Sequence, residues 1–294
     1  MTSHCVLVTG ASGFTGRYVM KALIAAGYQA FSLRADLCDV AALNAEVAAV
    51  KPTAVIHLAG IAYVGHGNPA DFYQVNLIGT LNLLQALETA GSITGPVVLA
   101  SSANIYGNAY QGSTIAESFK PHPINDYAMS KHAMEEMASL WMGRLPVSVV
   151  RPFNYTGVGQ SASFVVPKIV SAFKERREEL CLGNIDVWRD FSDVRDIARW
   201  YVEIIRRNIV GETVNFCSGK IVSLKDIISW CGEITQHSLI VRREVTLQRK
   251  NELLRLCGDR THLRTLLGDA LSPSCTLRQT LQWMLGTKDK IDTK

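Results

Sequence analysis

An α/β fold, a doubly wound parallel sheet of the Rossmann type with a smaller C-terminal α/β lobe, is what this 294-residue sequence predicts. Three observations carry that prediction. Short apolar runs alternate with helix-periodic segments through the first half of the chain. The first run leads into a glycine-rich turn that opens a helix. Hydrophobic residues make up 48% of the chain and charged residues 19%, enough apolar side chains to cover both faces of a sheet and too many for a disordered chain.

His4 to Thr9 (HCVLVT) reads as a buried strand, apolar on both faces as parallel strands are. Residues 14–26 carry helical apolar spacing and stop at Gly27, a C-cap signal. Residues 29–33 form a second strand, and 40–50 a helix that cannot run through Pro52. Residues 54–58 (AVIHL) are a strand. A long helix over 70–90 places Leu77, Leu81, Leu84 and Leu87 at helical spacing. A strand over 97–101, a helix over 126–143 and a strand over 147–150 follow. Strands separated by helices need crossover connections, hence a parallel sheet. Beyond Arg151 the rhythm loosens. Residues 164–177, 193–207, 224–234, 261–267 and 276–285 read as helical, 213–216 as a strand, and 288–294 as a frayed charged tail. Residues 1–160 are expected to carry the sheet. Residues 161–294 are expected to form mainly a lobe over the strand ends, where ligands of such sheets bind, with the chain free to cross back.

A net charge of +4 offers no general basic surface, so no nucleic-acid partner is expected. No apolar run reaches the roughly 20 residues of a membrane helix. The N-terminus lacks the parts of a signal peptide. Seven cysteines stand scattered with no C-x-x-C pair, which reads as reduced, packed thiols of a cytoplasmic protein and no metal site.

The turn Gly10-Ala11-Ser12-Gly13-Phe14-Thr15-Gly16 follows a strand and opens a helix. Glycines there allow a tight turn and close approach to a pyrophosphate, which the free amides and dipole of the helix N-terminus attract. The bland alternative is an ordinary glycine turn. About 20 residues on, an acid usually holds the ribose of NAD, and Asp36 stands there by count. Arg34 ends the second strand, and a cation there suits the 2′-phosphate of NADP. NADP is slightly favoured, with NAD open.

Tyr127 and Lys131 form Y-x-x-x-K on a predicted helix, so both side chains reach one site. A free tyrosine titrates near about 10, and a neighbouring ammonium is expected to lower that value so that the phenol exchanges a proton with a substrate oxygen. Upstream, Ser101-Ser102-Ala103-Asn104-Ile105-Tyr106-Gly107 follows a buried strand.

TGASGFTG, the S-S-x-x-x-Y-G segment and Y-x-x-x-K together resemble the extended short-chain dehydrogenase/reductase family of nucleotide-sugar enzymes. The resemblance covers nearly the whole chain. It implies a Rossmann fold, a nicotinamide cofactor, a nucleotide-sugar substrate and a homodimer through the helices at 70–90 and 126–143. It makes Ser102, four before Tyr106, the third catalytic residue, whose hydroxyl would hold the reacting oxygen; Ser101 is its rival, and a strand-end serine satisfying local backbone is the bland reading of both. It assigns Asp36-Leu37 to the adenine, although the interval is short. It places Ala59-Gly60 beside the cofactor and Asn76 under the active-site backbone, where a surface polar residue is the plainer reading. RPFNYTGVGQ, FVVPK and GNIDVWRDFSDVRD are similar to the family's GDP-4-keto-6-deoxy-mannose reductases. That similarity implies substrate contacts from Asn104, Asn154, Val166, Lys168 and Arg189. A salt bridge from Arg189 to Asp190 or Asp193 competes with this role. Arg249 lies where the family has R-P-x-D/E, but the proline is missing here. The family's dehydratases carry a glutamate where this chain has Asn104. A carboxamide cannot take a proton, which disfavours water elimination. Reduction is therefore the leading expectation, sugar 4-epimerisation the second and cofactor sensing without catalysis the third.

Overall fold

The computed structural model describes residues 5–62, 67–108, 114–244, 254–271 and 275–286. His4, Arg249 and the tail over 288–294 lie outside the described residues. Strand β1 (Cys5–Thr9) lies between β2 (Gln29–Ser32) and β3 (Ala54–His57), and β4 (Val97–Ala100), β5 (Val147–Pro152) and β9 (Thr213–Phe216) extend the sheet beyond β3. All neighbours run parallel, with Val6 opposite Ala30 on one side and Ala54 on the other. The chain leaves β1 in one direction and returns to its other side. The crevice at such a switch point is where open α/β sheets bind ligands, and the glycine turn opens there.

The continuous apolar runs have a simple cause. Val6, Val8, Ile56, Val98, Val150 and Val214 face one layer, with residues of α1 (Phe14–Ala25) and α7 (Val194–Arg206). Leu7, Val55, Val97, Leu99 and Val147 face the other, with residues of α2 (Val40–Val50), α4 (Gly79–Ala90) and α5 (Asp126–Ser139). Alternate side chains point to opposite faces, and both faces are covered. Each fully buried Val, Leu or Ile contributes about 1.5–3 kcal/mol.

Local chemistry sets the helix ends. Asp39 caps α2 by accepting from the Ala42 amide, and Asn125 caps α5 by accepting from Ala128. Two expected helices differ. Residues 70–90 form α3 (Pro69–Tyr73), a π turn (Gln74–Ile78) and then α4. The wider turn carries Asn76, which is fully buried rather than on the surface. Helix α5 stops at Ser139, because Trp141 turns into the core and its carbonyl takes the amides of Arg144 and Leu145.

The sequence showed no strand at β6 (Asn154–Thr156), β7 (Glu179–Leu182), β8 (Trp188–Asp193), β10 (Ile221–Ser223), β11 (Ile240–Arg243) or β12 (Arg255–Leu256). These are short and rich in polar side chains. Pairing partners, more than propensity, make them strands. Helices α6 (Val165–Lys174), α8 (Leu224–Thr235) and α10 (Leu277–Gly286) enclose the lobe's own core. By contrast α7, β9 and α9 (Thr261–Leu267) pack with the main sheet. Asp190, buried on β8, ties the lobe together. Its carboxylate accepts from the amides of Ser218, Gly219 and Gly258 and from the Ser218 hydroxyl. The seven cysteines are free thiols. No helix among the described residues is long and apolar enough to cross a membrane.

Candidate active site

A cleft of about 780 Å³ opens over the carboxyl ends of β1, β3, β4 and β5, roofed by the small lobe. Gly10, Gly13, Phe14, Thr15, Gly16 and Gly60 line one part of it. Ser102, Asn104, Tyr127 and Lys131 line its middle, and Asn154, Val166, Lys168 and Arg189 line the lobe side. Ala59, Asn76, Arg34, Asp36 and Leu37 are not among its lining residues.

Tyr127 occupies the first turn of α5, and Lys131 follows one turn later on the same face. The Tyr127 ring lies 6.0 Å from Phe72. Burial pushes its phenol up to about 12; a hydrogen bond from Ser102 draws it down in part, and the Tyr155 phenol adds to the rise. Lys131 does not lower it, contrary to the sequence expectation. The Lys131 ammonium instead donates to the Ala100 carbonyl at 2.8 Å. Burial brings Lys131 down to about 8, against a smaller upward pull from Glu135. Tyr127 is therefore fully protonated at neutral pH, the state an acid needs when it delivers a proton.

The protons at Ser102 can be assigned. Its Oγ accepts from the Asn104 amide at 3.2 Å and from the Asn104 carboxamide Nδ2 at 3.1 Å. The Ser102 proton is then free to point at Tyr127 or at a ligand oxygen in the cleft. Asn104 thus acts on Ser102 and presents a donor, not a base. The rival, Ser101, has a buried hydroxyl with no partner among the described residues.

Asn76 acts from below. Its Oδ1 accepts from the Ile61 amide at 2.9 Å, and its Nδ2 donates to the Ile61 carbonyl at 3.2 Å and to Ser130 Oγ at 3.0 Å. Ser130 in turn donates to the Tyr127 carbonyl. One carboxamide therefore pins the loop after β3 to the helix that carries Tyr127 and Lys131. Gly60 sits in that loop because a Cβ there would lie 2.7 Å from Asn76 Oδ1 and 3.2 Å from Lys131 Nζ.

His57 and Thr80 complete a chain that no sequence motif marked. The Ala59 amide donates to Thr9 Oγ1, which lies 2.7 Å from His57 Nδ1; His57 Nε2 lies 2.9 Å from Thr80 Oγ1, which donates to the Asn76 carbonyl. Since Thr80 spends its proton on that carbonyl, His57 must donate from Nε2 and accept at Nδ1. Burial, with Lys131 nearby, brings His57 down to about 3 from 6.5. An unfolded chain takes up a proton at His57 as the pH falls below about 6.5, and the folded protein refuses it until about 3. Stability contributed by the neutral ring is therefore lost on acidification across that window, amounting to about 5 kcal/mol at its foot. Urea unfolding between these pH values should show this slope, and His57→Gln, which cannot titrate, should lose most of it; an equal slope in the variant refutes the assignment.

On the lobe side, Arg189 donates to the carbonyls of Trp188 and Leu254. The alternative of an ion pair with Asp190 or Asp193 is not what the structure shows. Asp190 is occupied by backbone amides, and Asp193 binds Arg195 and Thr280. Lys168 reaches the Cys181 carbonyl at 2.8 Å. Just beyond β2, the exposed Arg34 stands near the start of the loop over 33–39, and its own amide and that of Ala35 donate to the Glu46 carboxylate. Asp36 closes a turn onto the Cys38 amide. Leu37 is buried in the core, where its side chain packs on Gly79. The short interval before Asp36-Leu37 has a topological cause. β2 is the sheet edge among the described residues, and the loop over 33–39 leads straight to α2.

Tyr155 is a site residue that sequence reasoning passed over. Its hydroxyl lies 2.8 Å from Thr15 Oγ1, and its ring stacks on Phe14 at 6.1 Å with 9° between planes. Its place right after Asn154 in RPFNYTG was the available signal.

The residues fit a dinucleotide: a glycine-lined cradle at a helix N-terminus, with a protonated phenol and a buried amine beside it. Comparisons with known proteins agree. A curated GDP-6-deoxy-D-talose 4-dehydrogenase from Aggregatibacter actinomycetemcomitans is 34% identical over 90% of this chain and 91% of that protein. A GDP-6-deoxy-D-mannose reductase from Pseudomonas aeruginosa is 35% identical over 95% of both. The solved structure of RMD from Pseudomonas aeruginosa complexed with NADPH has a TM-score of 0.86 at 34% identity over 96% of both chains. A Burkholderia cenocepacia structure, of a candidate epimerase, has a TM-score of 0.89 at 41% identity over 96% of this chain and 97% of that one. Residues 6–217 match the NAD dependent epimerase/dehydratase family, and the chain belongs to that family as an NAD(P)-dependent enzyme of the extended short-chain dehydrogenase/reductase type.

Proposed function

We propose that this enzyme reduces the 4-keto group of a GDP-linked 4-keto-6-deoxyhexose, GDP-4-keto-6-deoxy-D-mannose first, to GDP-D-rhamnose or GDP-6-deoxy-D-talose. The observation that carries the reading is the protonated Tyr127, held by Ser102 and one helical turn from Lys131, inside a cleft with a glycine cradle at one end and Asn154, Lys168 and Arg189 at the other. A reduced nicotinamide supplies hydride to the sugar carbon when bound. Ser102 orients the carbonyl oxygen, Tyr127 donates its proton to it, and Lys131, fixed on the Ala100 carbonyl, would hold the nicotinamide ribose. Asn104 secures Ser102 and offers no base for elimination. Val166 shapes the lobe wall. Gly10, Gly13, Thr15 and Gly16 receive the pyrophosphate.

NADPH is the preferred reductant in this reading. Arg34 is exposed at the end of β2, while the Asp36 carboxylate is turned onto its own loop. The enzyme works in the cytoplasm as a homodimer through α4 and α5. The 4-epimerase reading draws support from the epimerases among the similar proteins, the candidate one from Burkholderia cenocepacia included. It would keep its cofactor and show no net consumption.

Purified protein should be assayed with GDP-, dTDP- and UDP-4-keto-6-deoxy sugars and both reduced cofactors, following absorbance of NADPH or NADH. Stoichiometric oxidation with a strong preference for the GDP sugar is expected. Equal or better turnover of the dTDP or UDP compound refutes the GDP assignment, and conversion without net cofactor loss refutes reduction.

A further inference from the structure

Three tyrosines converge on the floor and walls of the cleft: Tyr127, Tyr155 and Tyr201. Two are partnered. Tyr127 meets Ser102, and Tyr155 meets Thr15. Tyr201 differs. It is 1% exposed and lines the cleft, and its hydroxyl has no hydrogen-bond partner among the described residues. Its ring is fixed edge-on against Phe216, with centroids 5.0 Å apart. The ring is buried, but the hydroxyl oxygen is not among the enclosed polar atoms that lack a partner, so it opens onto the cleft. Burial, with the neighbouring Tyr155 and Tyr127 phenols, holds the Tyr201 phenol well above its ordinary value, so it stays a donor at any working pH.

Its position says which ligand it faces. Tyr201 lies on α7, which packs along α1, the helix opened by the glycine turn. It shares an apolar cluster with Leu58, Ala100 and Tyr155. Tyr155 is itself stacked on Phe14 and bonded to Thr15 of that turn.

We propose that the Tyr201 hydroxyl is a further cofactor-binding group, donating a hydrogen bond to an acceptor oxygen of the nicotinamide dinucleotide. This rests on the reading that the chain binds such a cofactor. A ligand in the cleft then supplies the acceptor that no described side chain offers this hydroxyl. Tyr155 forms the adjoining wall, and its bond to Thr15 keeps the glycine turn in place.

The test compares the full chain with Tyr201→Phe, which keeps the ring and its contact with Phe216. Free protein is followed by thermal unfolding, and NADPH binding by fluorescence titration and by the rise in Tm on adding NADPH. The variant without ligand should be about as stable as the parent, since the hydroxyl makes no hydrogen bond among the described residues. Its NADPH Kd should rise about 3- to 10-fold, the worth of one hydrogen bond, and the NADPH-induced rise in Tm should shrink. An unchanged Kd overturns the proposal, even if the KM for the sugar rises. Weaker binding matched by an equal loss of stability without ligand also overturns it, because that marks a structural role. Failure of the parent chain to bind NADPH or NADH removes the dinucleotide reading, and this inference with it.

Discussion

Tyr127→Phe is expected to lower turnover of the keto sugar by about 10²- to 10⁴-fold, the range for loss of a positioned general acid, while NADPH binding stays within a few-fold of the parent. The phenyl ring keeps its packing beside Phe72 at 6.0 Å, so the change removes one oxygen and its proton without opening a cavity. Single-turnover rates with NADPH, together with a binding titration, separate the two effects. Full activity in the variant would remove Tyr127 from the mechanism. The pH dependence supplies a second check. Tyr127, pushed up to about 12, keeps its proton across the accessible range, so it sets no limit on reduction there. Lys131 is brought down to about 8 by burial, so the free enzyme loses that positive charge as the pH rises through about 8. The reductive kcat/KM should fall across that pH, and Lys131→Met should be slow throughout and lack the inflection, since kcat/KM reports the groups of the free enzyme. The same shift acts on stability. Between about 8 and 10.5 the unfolded chain binds the Lys131 proton and the folded protein does not, so stability rises with pH there.

Gly16→Ala is expected to cost as much by a different route. A Cβ at position 16 would stand 2.2 Å from the Gly10 carbonyl oxygen and 2.6 Å from Ala11 Cα. Both are backbone atoms and cannot rotate away. Either α1 shifts along its axis or the glycine turn opens, and both displace the amides that face a pyrophosphate. Overpacking of this kind costs about 1–3 kcal/mol of stability. Each 1.4 kcal/mol withheld from the bound state lowers cofactor affinity about tenfold. Gly13→Ala is the milder comparison, since its Cβ would lie 3.1 Å from the same oxygen. Titration of NADPH into both variants should place Gly16→Ala well below Gly13→Ala; the reverse order would mean that the turn is not the pyrophosphate cradle.

How much of this was legible beforehand follows from what each feature depends on. The α/β class, the parallel sheet and the glycine turn are local matters. A strand buried on both faces reads as a near-continuous apolar run, as β1, β3, β4 and β5 do apart from the buried Thr9, His57, Ser148 and Arg151. Helix caps show the same locality, as at Asp39 and Asn125. The spacing of Tyr127 and Lys131 is a helical-turn relation and needs no partner from elsewhere. The polar strands of the small lobe were invisible because their state depends on pairing: β8 exists where β6, β10 and β12 meet it. The direction of the Tyr127 shift was misread for a related reason. Spacing puts an ammonium near a phenol, but it does not say that the ammonium will be bound to the Ala100 carbonyl or that burial will dominate.

The sequence by itself determined the fold class, the family and the order of the reactive side chains along the chain, because periodicity, glycine placement and helical spacing act over a few residues. Only the tertiary structure decided which groups are partnered. Ser102 is satisfied by Asn104, the neutral His57 is wedged between Thr9 and Thr80, Asn76 fastens the loop after β3 to α5, and Tyr201 faces the cleft with no partner among the described residues. Those outcomes depend on burial and on contacts between segments tens of residues apart, where desolvation rather than residue type sets the chemistry.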